Sequence, residues 1–278
     1  MDFSEMFKDE RENGATRLQQ CHQVLRRMFK IVDHLCTKHD IQYFLSSGTL
    51  LGAIRNADIL PWDDDFDIAM TRENYEKFVQ LAVPDLPQDI FFQTPETDPN
   101  YPVCHVVEAK LRDRYSSYTF RSGRGDGRHN GLMIDLLVLD RAYLPHNFFI
   151  YIINKTLRTL YKHKDNSRRA NVLKWIERNF PFKLVYSYGL VCQWKQINEG
   201  QNFFKGEEIA NVIRIPFADT QAWIPEGWDA YLKRKFGPKY LQGPPIEQQV
   251  AHHSDEVPDP FTPCDHKQAL VWRKGIGS

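Results

Sequence analysis

A chain of 278 residues that is 42% hydrophobic and 26% charged can bury a sizeable core, in one large domain or two small ones, which excludes an intrinsically disordered protein. Lys+Arg and Asp+Glu both number 36, so the net charge is zero and the basic excess of a typical nucleic-acid binder is absent. The five cysteines (Cys21, Cys36, Cys104, Cys192 and Cys264) are far apart and form no C-x-x-C pair. That argues against a zinc site or disulfide framework and for a reducing compartment. The first ten residues lack the apolar run of a signal peptide. No stretch approaches the roughly 18 apolar residues of a membrane span; the nearest, Phe148 to Ile153, stops at Asn154-Lys155. The chain is expected to be soluble and cytoplasmic.

The first element is a helix. Leu18, Cys21, Leu25, Met28, Val32 and Leu35 step by three and four and make one apolar stripe ending near His39-Asp40. Ile41 to Ser46 has strand character. Ser47-Gly48-Thr49 then opens a short helix through Arg55. Phe66 to Met70 reads as a strand, followed by Thr71 as the N-cap of a helix with Tyr75, Phe78, Val79 and Ala82 on one face. Ile90 to Gln93 and Val106 to Arg112 are short strands, and Ser122 to Gly131, with four glycines, is a loop. Leu132 to Leu139 is a strongly apolar strand with one carboxylate, Asp135. Residues 141–220 are aromatic and basic, with helical character at 148–161, 170–180 and 184–197. A final helix is expected over 227–236, and the tail after Gln248 is polar, Pro-rich and expected to be poorly ordered.

Four aspartates occupy positions 63, 64, 65 and 67. A run of like charge is ordinarily a solvated surface loop, but this one lies between Pro61-Trp62 and Phe66-Asp67-Ile68-Ala69-Met70. In a strand, residues i and i+2 face the same way, so Asp65 and Asp67 project together, with Asp63 just outside. Carboxylates aimed into one cleft call for a cation, and Mg²⁺ or Mn²⁺ suits hard oxygen ligands. Asp135 adds independent support. A carboxylate buried in an apolar central strand costs several kcal/mol unless paired or metal-bound, so it needs a partner, of which a shared metal is the economical one; the other readings are a place at the strand's solvent end or pairing to an Arg. An EF-hand is excluded, because its required Gly falls at Ile68 and its bidentate Glu at Asn74.

The small-residue turn Ser47-Gly48-Thr49 at a helix N-terminus can present backbone N–H groups to phosphate. Set about 15 residues before an Asp-x-Asp strand, it points to phosphoryl chemistry, with carboxylates holding a metal that neutralises charge. Arg55, Lys110 and Arg112 are candidate phosphate clamps, or else surface salt-bridge partners. No G-x-S-x-G or H-E-x-x-H motif is present; among the ten histidines His129, just before the Asp135 strand, is the one near the expected site.

Tyr43-Phe-Leu-Ser-Ser-Gly-Thr-Leu-Leu-Gly-Ala-Ile-Arg55 followed by Ile59-Leu-Pro-Trp-Asp-Asp-Asp-Phe-Asp-Ile68 resembles the LicD family of phosphotransferases, a motif shared by fukutin-related proteins. His129 to Asp140 is similar to the family's second acidic strand, and Trp223 to Tyr240 with Pro244-Pro245 to its closing segment. Residues 141–220 have no counterpart. The resemblance implies an α/β (α+β) fold with a nucleotidyltransferase-like mixed sheet flanked by helices, to which the helical character of 141–220 adds a helical insertion. The domains would be a catalytic core at 1–140, the insertion at 141–220 and a C-terminal segment at 221–278 packing on the core. It implies transfer of a phospho-alcohol, such as phosphocholine or ribitol phosphate, from a CDP-linked donor to a hydroxyl of a cell-surface glycan. Carried over, Asp65 and Asp67 would bind Mg²⁺ or Mn²⁺ with Asp63 assisting. Asp135 would be a further ligand or the base that deprotonates the acceptor, and Gly48 and Thr49 would contact donor phosphates.

The expected partners are therefore a CDP-linked alcohol donor and a carbohydrate or glycolipid acceptor, with no nucleic acid. Residues 141–220 either hold an acceptor near the inner face of the membrane, through peripheral association, or simply pack as helices. A nucleotidyltransferase acting on a small molecule is the next reading. A ribitol- or glycerol-phosphate transferase, an Asp-x-Asp glycosyltransferase and a degenerate, non-enzymatic binding module are the others.

Overall fold

The computed structural model describes residues 3–101, 107–118, 127–142, 185–188, 203–250 and 258–264. After a single turn, α1 (Phe3–Met6), the long helix α2 (Arg17–Lys38) starts at a reciprocal cap. The Gln19 backbone N–H donates to Thr16 Oγ1 at 3.2 Å, and the Thr16 N–H donates to Gln19 Oε1 at 3.1 Å. Cys21, Leu25, Met28, Val32 and Leu35 of its stripe are fully buried. Each such side chain contributes about 1.5–3 kcal/mol by leaving water, which is why this amphipathic stretch is committed to the core.

Next come β1 (Phe44–Leu45), α3 (Ser47–Asn56), β2 (Phe66–Thr71), α4 (Arg72–Lys77), β3 (Ile90–Gln93), β4 (Ala109–Asp113) and β5 (Met133–Ala142). The strand expected over 41–46 is narrower. Asp40 lies in the left-handed region (φ 52°) and Ile41 N–H still bonds back to Cys36 O at 2.8 Å, so the chain is extended only from Phe44. Thr71 caps α4 as expected. Val79 is exposed rather than on the buried face, because the helix widens into a π turn at Phe78–Ala82 and rotates it outward.

The sheet is mixed and runs β1-β2-β5-β4-β3, so β5 is central, parallel to β2 and antiparallel to β4. Two-sided burial explains its apolar sequence. One face carries Phe66, which stacks on Phe29 of α2 with ring centroids 5.0 Å apart. The alternate residues, Asp67, Asp135 and Leu137, face a cavity on the other side.

Beyond Leu139, β5 outruns β2 and β4 and pairs with β6 (Val185–Tyr188), which in turn pairs with β7 (Phe203–Lys205). A separate hairpin joins β8 (Val212–Phe217) and β9 (Thr220–Pro225). At 185–188 and from 203 to 220 these strands correct the helical expectation, since the free edge of β5 offers backbone partners that the local pattern does not reveal; residues 184 and 189–197 lie outside the described residues. The helices expected at 148–161 and 170–180 lie outside the described residues. The chain closes with α5 (Trp228–Phe236). Part of the tail is also firmly held. Ser117 and Asp259 exchange backbone hydrogen bonds of 2.9 and 3.0 Å, and Arg11 Nη1 donates to Pro260 O at 2.5 Å. Among the described residues no helix is long and apolar enough to cross a membrane.

Candidate active site

The run 63–65 leads from a turn into β2, and alternate aspartates face opposite ways. Asp63, Asp65 and Asp67 line a cavity of about 750 Å³, whereas Asp64 is fully buried and accepts a 2.6 Å hydrogen bond from the Tyr118 hydroxyl. A cavity of this size can enclose a nucleotide-sized ligand. Asp63, expected at the edge of the group, is one of its walls. Its N–H donates to Leu60 O at 2.9 Å, and its carbonyl lies 2.8 Å from His22 Nε2. Its carboxylate sits against the start of α3, where a Cβ on Gly48 would fall 2.7 Å from Oδ2. A glycine at 48 leaves room for that carboxylate, which a larger residue would displace. Asp63 lies where an anion would meet that helix end.

Thr49 is fully buried and is not on the cavity wall. Its Oγ1 accepts the Asp67 backbone N–H at 2.8 Å. It thus ties α3 to the first turn of β2 and fixes where Asp67 begins its strand.

Asp67 and Asp135 stand opposite one another in the parallel pair β2–β5, and Lys110 of β4 stands opposite Asp135 on its other side. Lys110 Nζ lies 2.5 Å from Asp135 Oδ1, both side chains being largely buried. Asp135 is thus paired to a lysine, where the sequence pointed to a shared metal or an Arg, while it remains on the cavity wall. Burial pushes the Asp67 carboxyl well above the usual carboxylate range, and the charges of Asp65 and Asp135 push it the same way. Lys235 and Lys110 oppose that shift only in part.

The three expected clamps separate. Arg55 lines the cavity, with its guanidinium 5.4 Å from the centre of the Trp62 ring. Lys110 is held by Asp135. Arg112 is buried away from the cavity, donating to Gln93 Oε1 at 2.8 Å and to Gly131 O at 2.7 Å, where it ties β4 to β3 and to the turn before β5. His129 is also buried; its Nδ1 accepts the Gly131 N–H at 3.2 Å and its ring stacks on Phe91 at 4.9 Å.

The sequence reading missed Lys235. This residue of α5 lines the cavity and donates to Ser47 Oγ at 2.8 Å. The only available signal was the basic run Lys233-Arg234-Lys235, which looks like an ordinary helix C-terminus. The segment 235–248 forms the opposite wall, with Phe236, Lys239, Tyr240, Gln242, Pro244 and Gln248.

Among the described residues no three acidic, histidine or cysteine side chains are already drawn together as a metal cage. In kind, the donors fit a hard divalent cation. Asp65, Asp67 and Asp135 offer carboxylate oxygens to one cavity, and their mutual repulsion holds Asp67 toward its neutral form.

A mixed α/β protein with an acidic cavity beside its central strands is the class that fold and site define. Residues 40–95 match the family model described as LicD/FKTN/FKRP, nucleotidyltransferase domain. The chain is 25% identical over 255 residues to the lipopolysaccharide cholinephosphotransferase LicD of Haemophilus influenzae, covering 80% of this chain and 91% of that protein. It is 36% identical over 61 residues to the human ribitol 5-phosphate transferase FKRP, covering 22% of this chain and 12% of that protein. An uncharacterised Rickettsia typhi protein is 44% identical over 57 residues, 20% of this chain and 18% of its own length. The chain is thus similar to LicD-type proteins, over residues 40–95 by the family model and over most of its length to the Haemophilus influenzae protein.

Proposed function

We propose that this protein is a phosphotransferase that moves a phospho-alcohol, phosphocholine in the first instance, from a CDP-linked donor to a hydroxyl of a glycan acceptor, with a divalent cation as cofactor. The observation that carries the reading is the convergence of Asp63, Asp65, Asp67 and Asp135 on one cavity beside the start of α3, the first three within the segment that matches the family model. The similarity to a cholinephosphotransferase across 91% of that protein's length supports the choice of group.

Asp65, Asp67 and Asp135 would hold Mg²⁺ or Mn²⁺, with Asp63 beside them. Bound there, the ion would supply charge neutralisation for the donor's phosphates. The acceptor hydroxyl oxygen forms the new bond to the phosphorus that bears the alcohol. The bond from that phosphorus to the bridging oxygen breaks, and CMP departs with the electron pair. The hydroxyl proton passes to a carboxylate of the cluster, with Asp135 in that role and Lys110 fixing its orientation. Leu51, Leu60 and Leu137 give the cavity apolar walls that limit water around the reacting phosphate.

The direct test is CMP release from CDP-choline, CDP-ribitol and CDP-glycerol in the presence of Mg²⁺ and glycan acceptors. Faster release from CDP-choline is the expected result. Failure to bind or turn over any of the three, with and without metal, would remove the reading.

A further inference from the structure

We propose that Lys235 is the residue that grips the donor's pyrophosphate, and that its attachment to Ser47 holds the two walls of the cavity at the spacing this requires. The assignment rests on the phosphotransferase reading for the identity of the donor and on geometry for the residue. Ser47 begins α3 on one wall and Lys235 ends α5 on the other, 188 positions later, and the 2.8 Å hydrogen bond between them spans the gap. Lys235 is a wall of the same cavity as Asp65, Asp67 and Asp135, and its charge is felt at Asp67.

The other cations placed by the sequence are committed differently. Lys110 is bound to Asp135, Arg112 is buried under Gln93 and Gly131 O, and Arg55 lies along Trp62. The Asp63 carboxylate lies beside Gly48 at the start of α3, and its negative charge disfavours a second anion there. A lysine carries a compact charge on a flexible stem with three donors, and can hold a hydroxyl and a phosphate oxygen together.

The backbone supports a fixed role for this contact. Ser47 adopts the left-handed region (φ 49°), an uncommon conformation for a residue with a side chain, and it is the residue whose hydroxyl Lys235 meets. Tyr231 and Phe236 flank the ammonium at 5.9 and 5.8 Å from their ring centres, which orients the stem toward the cavity. Donor binding would then be read by the C-terminal segment, and the nucleotide half of the site would not form without α5.

The test uses the full chain and two probes, inorganic pyrophosphate by calorimetry and CDP-choline by kinetics, with Lys235→Gln, Lys235→Arg and Ser47→Ala compared to wild type. Lys235→Gln keeps a donor for Ser47 and removes the charge. It is expected to weaken pyrophosphate binding and raise the donor KM by about tenfold or more, a loss of about 1.4 kcal/mol. The acceptor KM and the melting temperature should stay near wild type, and Lys235→Arg should recover part of the affinity. Wild-type pyrophosphate affinity in Lys235→Gln overturns the assignment, as does a loss that tracks a fall in melting temperature. Absence of pyrophosphate binding by the wild type overturns it as well. Lys235-dependent pyrophosphate binding without turnover of any CDP-linked alcohol would uphold the assignment and remove the phosphotransferase reading.

Discussion

Asp67 and Asp135 face each other across the parallel pair β2–β5, one register step from the Lys110 that neutralises Asp135. Two carboxylates therefore lie side by side in a sheet with one fixed ammonium between strands, and the surplus negative charge falls on Asp67.

That surplus gives a pH-dependent stability with a definite sign. The folded pKa of Asp67 is raised above its unfolded value. Below about pH 4 both states are protonated there and the residue costs nothing. As the pH rises the unfolded chain ionises first, so stability falls until folded Asp67 also ionises, and the cost persists above that point. In chelator, Asp67→Asn should flatten this decline and raise the melting temperature at neutral pH. Adding Mg²⁺ should raise the wild-type melting temperature and leave Asp67→Asn unchanged. Thermal melts from pH 4 to 8 check all three.

Asp135→Asn preserves shape and an acceptor for Lys110 while removing the charge. Turnover should fall by roughly 10²–10⁴-fold, the range for loss of a positioned proton acceptor. The circular dichroism spectrum should be retained. Wild-type turnover would exclude Asp135 from the chemistry.

Gly48→Ala places a methyl 2.7 Å from Asp63 Oδ2. Leu60 and His22 fix only the Asp63 backbone, so the contact is relieved by turning the carboxylate at the end of its side chain. Urea unfolding should show a loss of about 1 kcal/mol, and the donor KM should rise as the Asp63 carboxylate is displaced.

Arg112→Met separates structure from function. It strands Gln93 Oε1 and the Gly131 carbonyl, which should cost about 1–3 kcal/mol in chemical denaturation. Donor KM measured at low temperature should be unchanged, because Arg112 is not on the cavity wall.

The sequence by itself determined the local elements and the acidic group. The stripe on α2, the cap at Thr71, the apolar strand around Asp135 and the i, i+2 alternation of Asp65 and Asp67 are all short-range patterns, governed by one helix or strand period. The tertiary structure decided which charges meet. It turned Asp64 inward to Tyr118, brought Asp63 onto the wall above Gly48, buried Arg112 and moved Thr49 behind Asp67. It also carried Lys235 from the far end of the chain to Ser47. It extended the sheet through β6 and β7 where the sequence read as helix. Those outcomes depend on sheet register and on contacts between residues 18 to 188 positions apart, and no local period encodes them.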